Sequence, residues 1–271
     1  MIPAPFDYQR PTTVADAVRL LAESADEAKV IAGGHSLLPM MKLRFAQPAV
    51  LVDIGDIGEL RGITTSGDRI VIGATSTHAT VAGSALLAER VPLLAHAASL
   101  VGDPQVRHRG TIGGSLAHSD PAADLPVAVV AADATMVIVG PTGRREVPAD
   151  DFFRGPFETA VEPDELLVAI SLPAATGTGW GYEKFTQRAN DWGIVTVAVS
   201  GERVVLGGVA GVPWRAGAVE DALRSGAPAD RAAALATDGV TPAGDIRADG
   251  RYRQHLAVVL TERALRAAGH H

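Results

Sequence analysis

The chain has no cysteine among its 271 residues. That excludes disulfides, a thiolate nucleophile, cysteine-ligated zinc and any iron–sulfur cluster of its own. If the protein handles electrons, an organic cofactor must carry them. No apolar run approaches the roughly 20 residues needed to cross a bilayer. Residues Met1 to Arg10 hold neither a basic stretch nor an apolar one of the kind that marks an export signal. The expectation is a cytoplasmic protein with no transmembrane segment, held at a membrane only through partners. Lysine and arginine number 24 against 31 aspartates and glutamates, a net charge of −7, and the arginines are scattered. A general nucleic-acid surface is therefore set aside. His78, His96, His108, His118 and His255 are dispersed without compact ligand spacing, so no metal site is assigned. No nucleophile elbow or Ser-His-Asp order is present, and no residue of this chain is assigned a catalytic role.

What the sequence does contain is two glycine-rich segments, Ala32-Gly33-Gly34-His35-Ser36 and Thr111-Ile112-Gly113-Gly114-Ser115. Glycine lacks the Cβ that would keep a phosphate oxygen off the main chain, and it admits the positive φ angles that turn successive N–H groups into an anion-binding nest. Ser36, Thr111 and Ser115 can add hydroxyl donors. Either pair alone reads equally as a tight turn. Neither fits Gly-x-Gly-x-x-Gly opening a helix, and no Gly-Lys-Ser/Thr follows, which disfavours a simple nicotinamide or nucleoside-triphosphate site. A dinucleotide held by two separate loops remains.

Hydrophobic residues make up 47% of the chain, enough to bury the core of one large or two small domains. Thr12 or Thr13 caps a helix reaching about Ser24, a strand covers Lys29 to Ala32, and Leu37 to Arg44 predicts a short helix facing the bound anion. Val50 to Ile54 predicts a strand. Ser66-Gly67-Asp68 predicts a hairpin turn, Thr77 an N-cap, and Pro92 to Val101 a helix. Asp120-Pro121 is expected to begin an apolar helix through Ala132, with proline in the first turn. A hairpin turns at Thr142-Gly143, and Leu166 to Leu172 is a strand. The Ala/Gly/Thr stretch from Ala174 to Gly179 marks a domain boundary. Beyond it come three β-rich runs, Gly181 to Gln187, Ile194 to Ser200 and Arg203 to Val209. Helices over Ala218 to Leu223 and Tyr252 to Ala267 are expected to back that small sheet.

Ala32 to Pro39 with Met41 to Arg44, then Gly102 to Arg107, Gly110 to Ser115 and Ala117 to Pro126 resemble the medium, FAD-binding subunit of molybdenum hydroxylases, in the carbon monoxide dehydrogenase and xanthine dehydrogenase family. The resemblance spans nearly the whole chain, including Asp151-Phe152-Phe153 and Gly181 to Val199. It implies an α+β fold: a vanillyl-alcohol-oxidase-type FAD-binding domain over 1–175, in lobes of about 1–55 and 56–175, and a C-terminal domain over 178–271 with a three-stranded antiparallel sheet and helices. It also implies an electron-transfer role between partner [2Fe-2S] clusters and an external acceptor. The clusters would lie in a small subunit and molybdopterin in a large one, with two such heterotrimers pairing.

By the same resemblance, Ile31, Ala32, Gly33, Gly34, His35, Ser36 and Leu37, with Thr111, Gly113, Gly114 and Ser115, would wrap the diphosphate and ribityl of a non-covalently held FAD. Asp124 matches a carboxylate near a cofactor hydroxyl, although an aspartate opening a helix also stabilises the helix. Lys184 matches a flavin contact, against the reading of a solvated strand lysine. Trp192 matches an aromatic near the isoalloxazine, against ordinary packing. Two alternatives stay open: a stand-alone FAD-dependent oxidase or dehydrogenase, and a non-catalytic nucleotide-binding partner.

Overall fold

A computed structural model describes residues 2–24, 27–174 and 179–271. Most of the expected boundary stretch, 175 to 178, lies outside the described residues. The chain opens with a small α/β unit of β1 (Asp7–Gln9), α1 (Val14–Ser24), β2 (Ala28–Ile31), α2 (Leu37–Lys42) and β3 (Val50–Asp53). Both strand pairings are parallel, in the order β1-β3-β2. Thr13 caps α1 as expected, its Oγ1 accepting from the Asp16 amide at 3.1 Å.

The next stretch builds a five-stranded antiparallel sheet from β4 (Ile63–Ser66), β5 (Arg69–Gly73), β6 (Thr135–Gly140), β7 (Gly143–Pro148) and β10 (Leu166–Pro173), in the order β4-β5-β10-β6-β7. Between β5 and β6 run six helices: α3 (His78–Ala82), α4 (Ala85–Arg90), α5 (Pro92–Ser99), α6 (Pro104–Arg109), α7 (Ile112–His118) and α8 (Asp124–Ala131). A short α9 (Ala149–Phe152) and the two-stranded β8 (Phe153–Gly155) and β9 (Glu158–Thr159) precede β10.

One helix start differs from the sequence reading. Asp120 does not open α8; its carboxylate and carbonyl accept from the Ala122 and Ala123 amides, folding residues 120 to 123 into a turn. The helix begins at Asp124, and Pro126 takes the early position expected of Pro121.

The last third forms β11 (Trp180–Phe185), β12 (Val195–Ser200), β13 (Arg203–Gly207), β14 (Trp214–Arg215), α10 (Gly217–Arg224), α11 (Ala229–Ala233) and α12 (Gly250–Ala267). The antiparallel sheet has four strands rather than three, because the two-residue β14 adds to the edge of β13. A strand so short leaves no alternation to read. Every residue of α8 is buried, and Ala198 and Val205 join its core. Val197, Val199, Val204 and Leu206 pack instead with Leu256, Leu260 and Leu265 of α12. The sheet is thus covered on both faces, which explains why β12 reads as a nearly unbroken apolar run.

Candidate functional site

The first glycine segment leaves the carboxyl end of β2, where Ile31 lies in register with Asp53 of β3. Gly34 turns the chain with φ +74°, a conformation costly for a residue with a Cβ. Ser36 then stands at the N-cap of α2 without making a side-chain cap bond. The next amides along α2, those of Leu38 and Met40, donate to Gly34 and Ser36 carbonyls at 3.0 and 3.2 Å. The amides of Gly33, Gly34, His35, Ser36 and Leu37 donate to no acceptor among the described residues. Five successive free N–H groups beside a free hydroxyl are the donor set a diphosphate requires.

The second segment differs from the sequence reading. Thr111 caps α7, its Oγ1 accepting from the Gly114 amide at 3.2 Å. The Ile112 and Gly113 amides donate to Ser76 and Ala74 carbonyls at 2.9 and 2.8 Å, and Ser115 donates to Thr111 at 3.0 Å. No bare amide remains from Ile112 to Ser115. Gly113 answers to packing, since a Cβ there would lie 2.5 Å from that of Ala74. What this segment still presents is exposed Gly114 backbone and the half-buried Ser115 side chain.

The two segments nevertheless meet. A Cβ on Gly33 would overlap the Arg109 carbonyl oxygen and sit 2.8 Å from Gly110 Cα, one residue before Thr111. Behind Gly110 lies His78, whose amide donates to the Gly110 carbonyl at 3.0 Å. His78 is 4% exposed, and its Nδ1 has no partner among the described residues. Burial, aided by the nearby His35 and Arg107, lowers its pKa from 6.5 to about 4. It is a neutral imidazole supporting the contact between segments. His35 is exposed at the first segment.

Asp124 and Lys184, assigned separately from the sequence, are each other's partners. Lys184 Nζ lies 2.9 Å from Asp124 Oδ2 and 3.2 Å from the Leu100 carbonyl, with side chains 8% and 5% exposed. The Tyr182 hydroxyl donates to Asp124 Oδ1 at 2.9 Å. Burial raises the Asp124 pKa although Lys184 and Tyr182 pull it down, and burial followed by the Asp124 charge raises that of Tyr182. Lys184 is therefore not a solvated strand lysine. Tyr182 went unassigned in the sequence, although the period-two alternation of a strand places it on the same face as Lys184. Trp192 is 44% exposed on the connection from β11 to β12. A Cβ on its neighbour Gly193 would lie 3.7 Å from the Lys184 side chain. The described residues contain no group of side chains able to hold a metal ion.

The family profile described as the FAD binding domain in molybdopterin dehydrogenase matches residues 4–175, and that of the CO dehydrogenase flavoprotein C-terminal domain matches residues 180–268. The chain is 45% identical to the carbon monoxide dehydrogenase medium chain of Hydrogenophaga pseudoflava, over 99% of this chain and 98% of that one. It is 36% identical to the nicotine 6-hydroxylase medium subunit of Paenarthrobacter nicotinovorans, over 97% and 96%. It superposes with TM-score 0.96 and 45% identity, covering 99% of both chains, on carbon monoxide dehydrogenase from H. pseudoflava lacking the Mo-pyranopterin moiety of its molybdenum cofactor. With the two-segment glycine site, the covered C-terminal sheet and matches over almost its full length, the chain belongs to the family of FAD-binding medium subunits of molybdenum hydroxylases.

Proposed function

We propose that this chain is the electron-transferring FAD subunit of a molybdenum hydroxylase, taking electrons from [2Fe-2S] clusters of a small subunit and delivering them to an external acceptor. The observation that carries the reading is the run of five unpaired amides from Gly33 to Leu37 beside the Ser36 hydroxyl. These groups would hold the diphosphate. Gly114 backbone and the Ser115 hydroxyl would close the second side, Thr111 would hold them there as the α7 cap, and Ile31, Ala32, the His35 side chain and Gly113 would shape the cradle. Asp124 would accept from a cofactor hydroxyl through the carboxylate lone pairs that Lys184 and Tyr182 leave free. Lys184 would lend positive charge to that end of the site, and Trp192 would flank the flavin ring. The bound FAD would supply the chemistry that links one-electron to two-electron carriers, which no side chain of a cysteine-free protein provides.

The cofactor-binding domain would occupy 1–175, in lobes of about 1–55 and 56–175, with the C-terminal domain over 178–271. Molybdopterin would sit in a large subunit that oxidises the substrate, and two heterotrimers would pair. Relatives named for carbon monoxide and for nicotine match nearly the whole chain, which supports placing substrate choice in another subunit. No helix among the described residues is long and apolar enough to cross a membrane. Any membrane association would come through partners.

The experiment is a native pull-down from source cells, with an absorbance spectrum and metal analysis. Flavin, iron and molybdenum with two further polypeptides is the expected result, and acid precipitation should leave colourless protein because His35 forms no covalent bond to FAD. Flavin on a lone chain would favour a stand-alone oxidase. No flavin at all would defeat both.

A further inference from the structure

The connection carrying Trp192 stands on an unusually costly support. At its base, the Ile194 amide donates to the Phe185 carbonyl at 2.8 Å. Beneath lies Arg253, from the first turn of α12, with its side chain 8% exposed. Its Nη1 donates to the Ile194 carbonyl and, at 3.0 Å, to that of Gly208; Nη2 pairs with Asp245 at 2.7 Å. The two carbonyls converge because Gly208 holds φ +77°, and a Cβ there would overlap the Ile194 oxygen. Two further contacts tie the connection to the same region. Asp191, beside Trp192, faces Arg247 at 3.9 Å, and the Phe185 ring meets Tyr252 edge-on at 6.2 Å.

Withdrawing a guanidinium from water is unfavourable unless its donors are satisfied, and here Nε has no partner among the described residues. Arg253 joins α12, the 245 loop, the turn that follows β13 and the Trp192 connection at one point, and removing it would loosen the connection while leaving both apolar faces of the sheet intact.

We propose that Arg253 is the positioning residue for Trp192, holding the connection between β11 and β12 in the place from which the indole flanks the cofactor. The proposal rests on the reading of Trp192 given above. Trp180, Trp192 and Trp214 are the chain's three tryptophans, so a Trp180→Phe, Trp214→Phe background makes Trp192 the sole reporter. In the full-length chain without FAD, acrylamide quenching of Trp192 should rise about twofold in Arg253→Met, as expected for release of a local tether. The rise should be smaller in Arg253→Lys, whose single ammonium cannot bridge both carbonyls and Asp245. Far-UV circular dichroism should not change. With FAD, the visible flavin spectrum of Arg253→Met should shift in the same direction as that of Trp192→Phe. Unchanged quenching in a folded Arg253 variant overturns the proposal, and Arg253→Lys decides if Arg253→Met does not fold. A flavin spectrum unmoved by Trp192→Phe would instead refute the cofactor role of Trp192, while the quenching measurement still decides what Arg253 holds.

Discussion

A carboxylate removed from water needs a partner for each oxygen, and Asp124 has Lys184 on one and Tyr182 on the other. Removing the cation alone should strand a buried charge. Lys184→Met is expected to cost about 3–5 kcal/mol in urea unfolding, and Asp124→Asn added to it should recover much of that loss. A single variant as stable as the parent would contradict this account. His78 gives a second prediction, this time in pH. Its folded pKa of about 4 lies below the ordinary 6.5, so the neutral ring contributes stability that is complete above pH 6.5. That contribution is lost as pH falls towards 4, amounting to about 3 kcal/mol. Asp124 works the other way: its raised pKa favours folding on the acid side and loses that effect as pH rises through the folded value. Unfolding midpoints measured from pH 7 to 4 in the parent and in His78→Leu should isolate the histidine's part: relative to its own value at pH 7, the variant should lose less stability towards pH 4 than the parent, and parallel profiles would contradict this.

At the scale of elements, the two glycine segments look alike in sequence and do different work. α7 consumes the amides of the second segment through its cap and its bonds to residues 74 and 76, while the turn before α2 leaves those of the first unpaired. A change at Gly33 bears on both, because its Cα rests on the Arg109–Gly110 backbone. Gly33→Ala should spread the two segments and reduce bound FAD several-fold in the purified protein, with circular dichroism retained. Equal FAD content would defeat this. Thr111→Ala removes the α7 cap and should cost about 1 kcal/mol in thermal or urea unfolding without emptying the site.

For the whole molecule, the C-terminal sheet is joined to the rest by α8 packing and by a charged network. Arg203 lies 3.1 Å from Asp133 and 2.8 Å from Asp150, and Arg215 lies 3.4 Å from Asp150 and 2.9 Å from Glu220. Arg203 is 22% exposed, so solvent screens it only partly. Its partners Asp133 and Asp150 are 66% and 34% exposed, so Arg203→Ala is expected to lower stability by about 1 kcal/mol, read as a reduced urea midpoint.

Much was legible without coordinates, for physical reasons. Thr13 and Thr77 cap helices because a hydroxyl before an apolar period satisfies a free amide locally. The Ser66–Arg69 turn follows from Gly67 between two β-rich runs. Those interactions close within a few residues, so composition and spacing determine them, as they determined the absence of any cysteine chemistry and the presence of two glycine segments. Tertiary structure alone decided which amides stay free, since an N–H group's partner is whatever backbone packs against it: residues 74 and 76 for the second segment, none among the described residues for the first. It also decided that Asp124 and Lys184, 60 positions apart, form one ion pair and that Arg253 reaches under the Trp192 connection. Sequence spacing does not encode such distances; they arise when helices and sheets bury their apolar faces together.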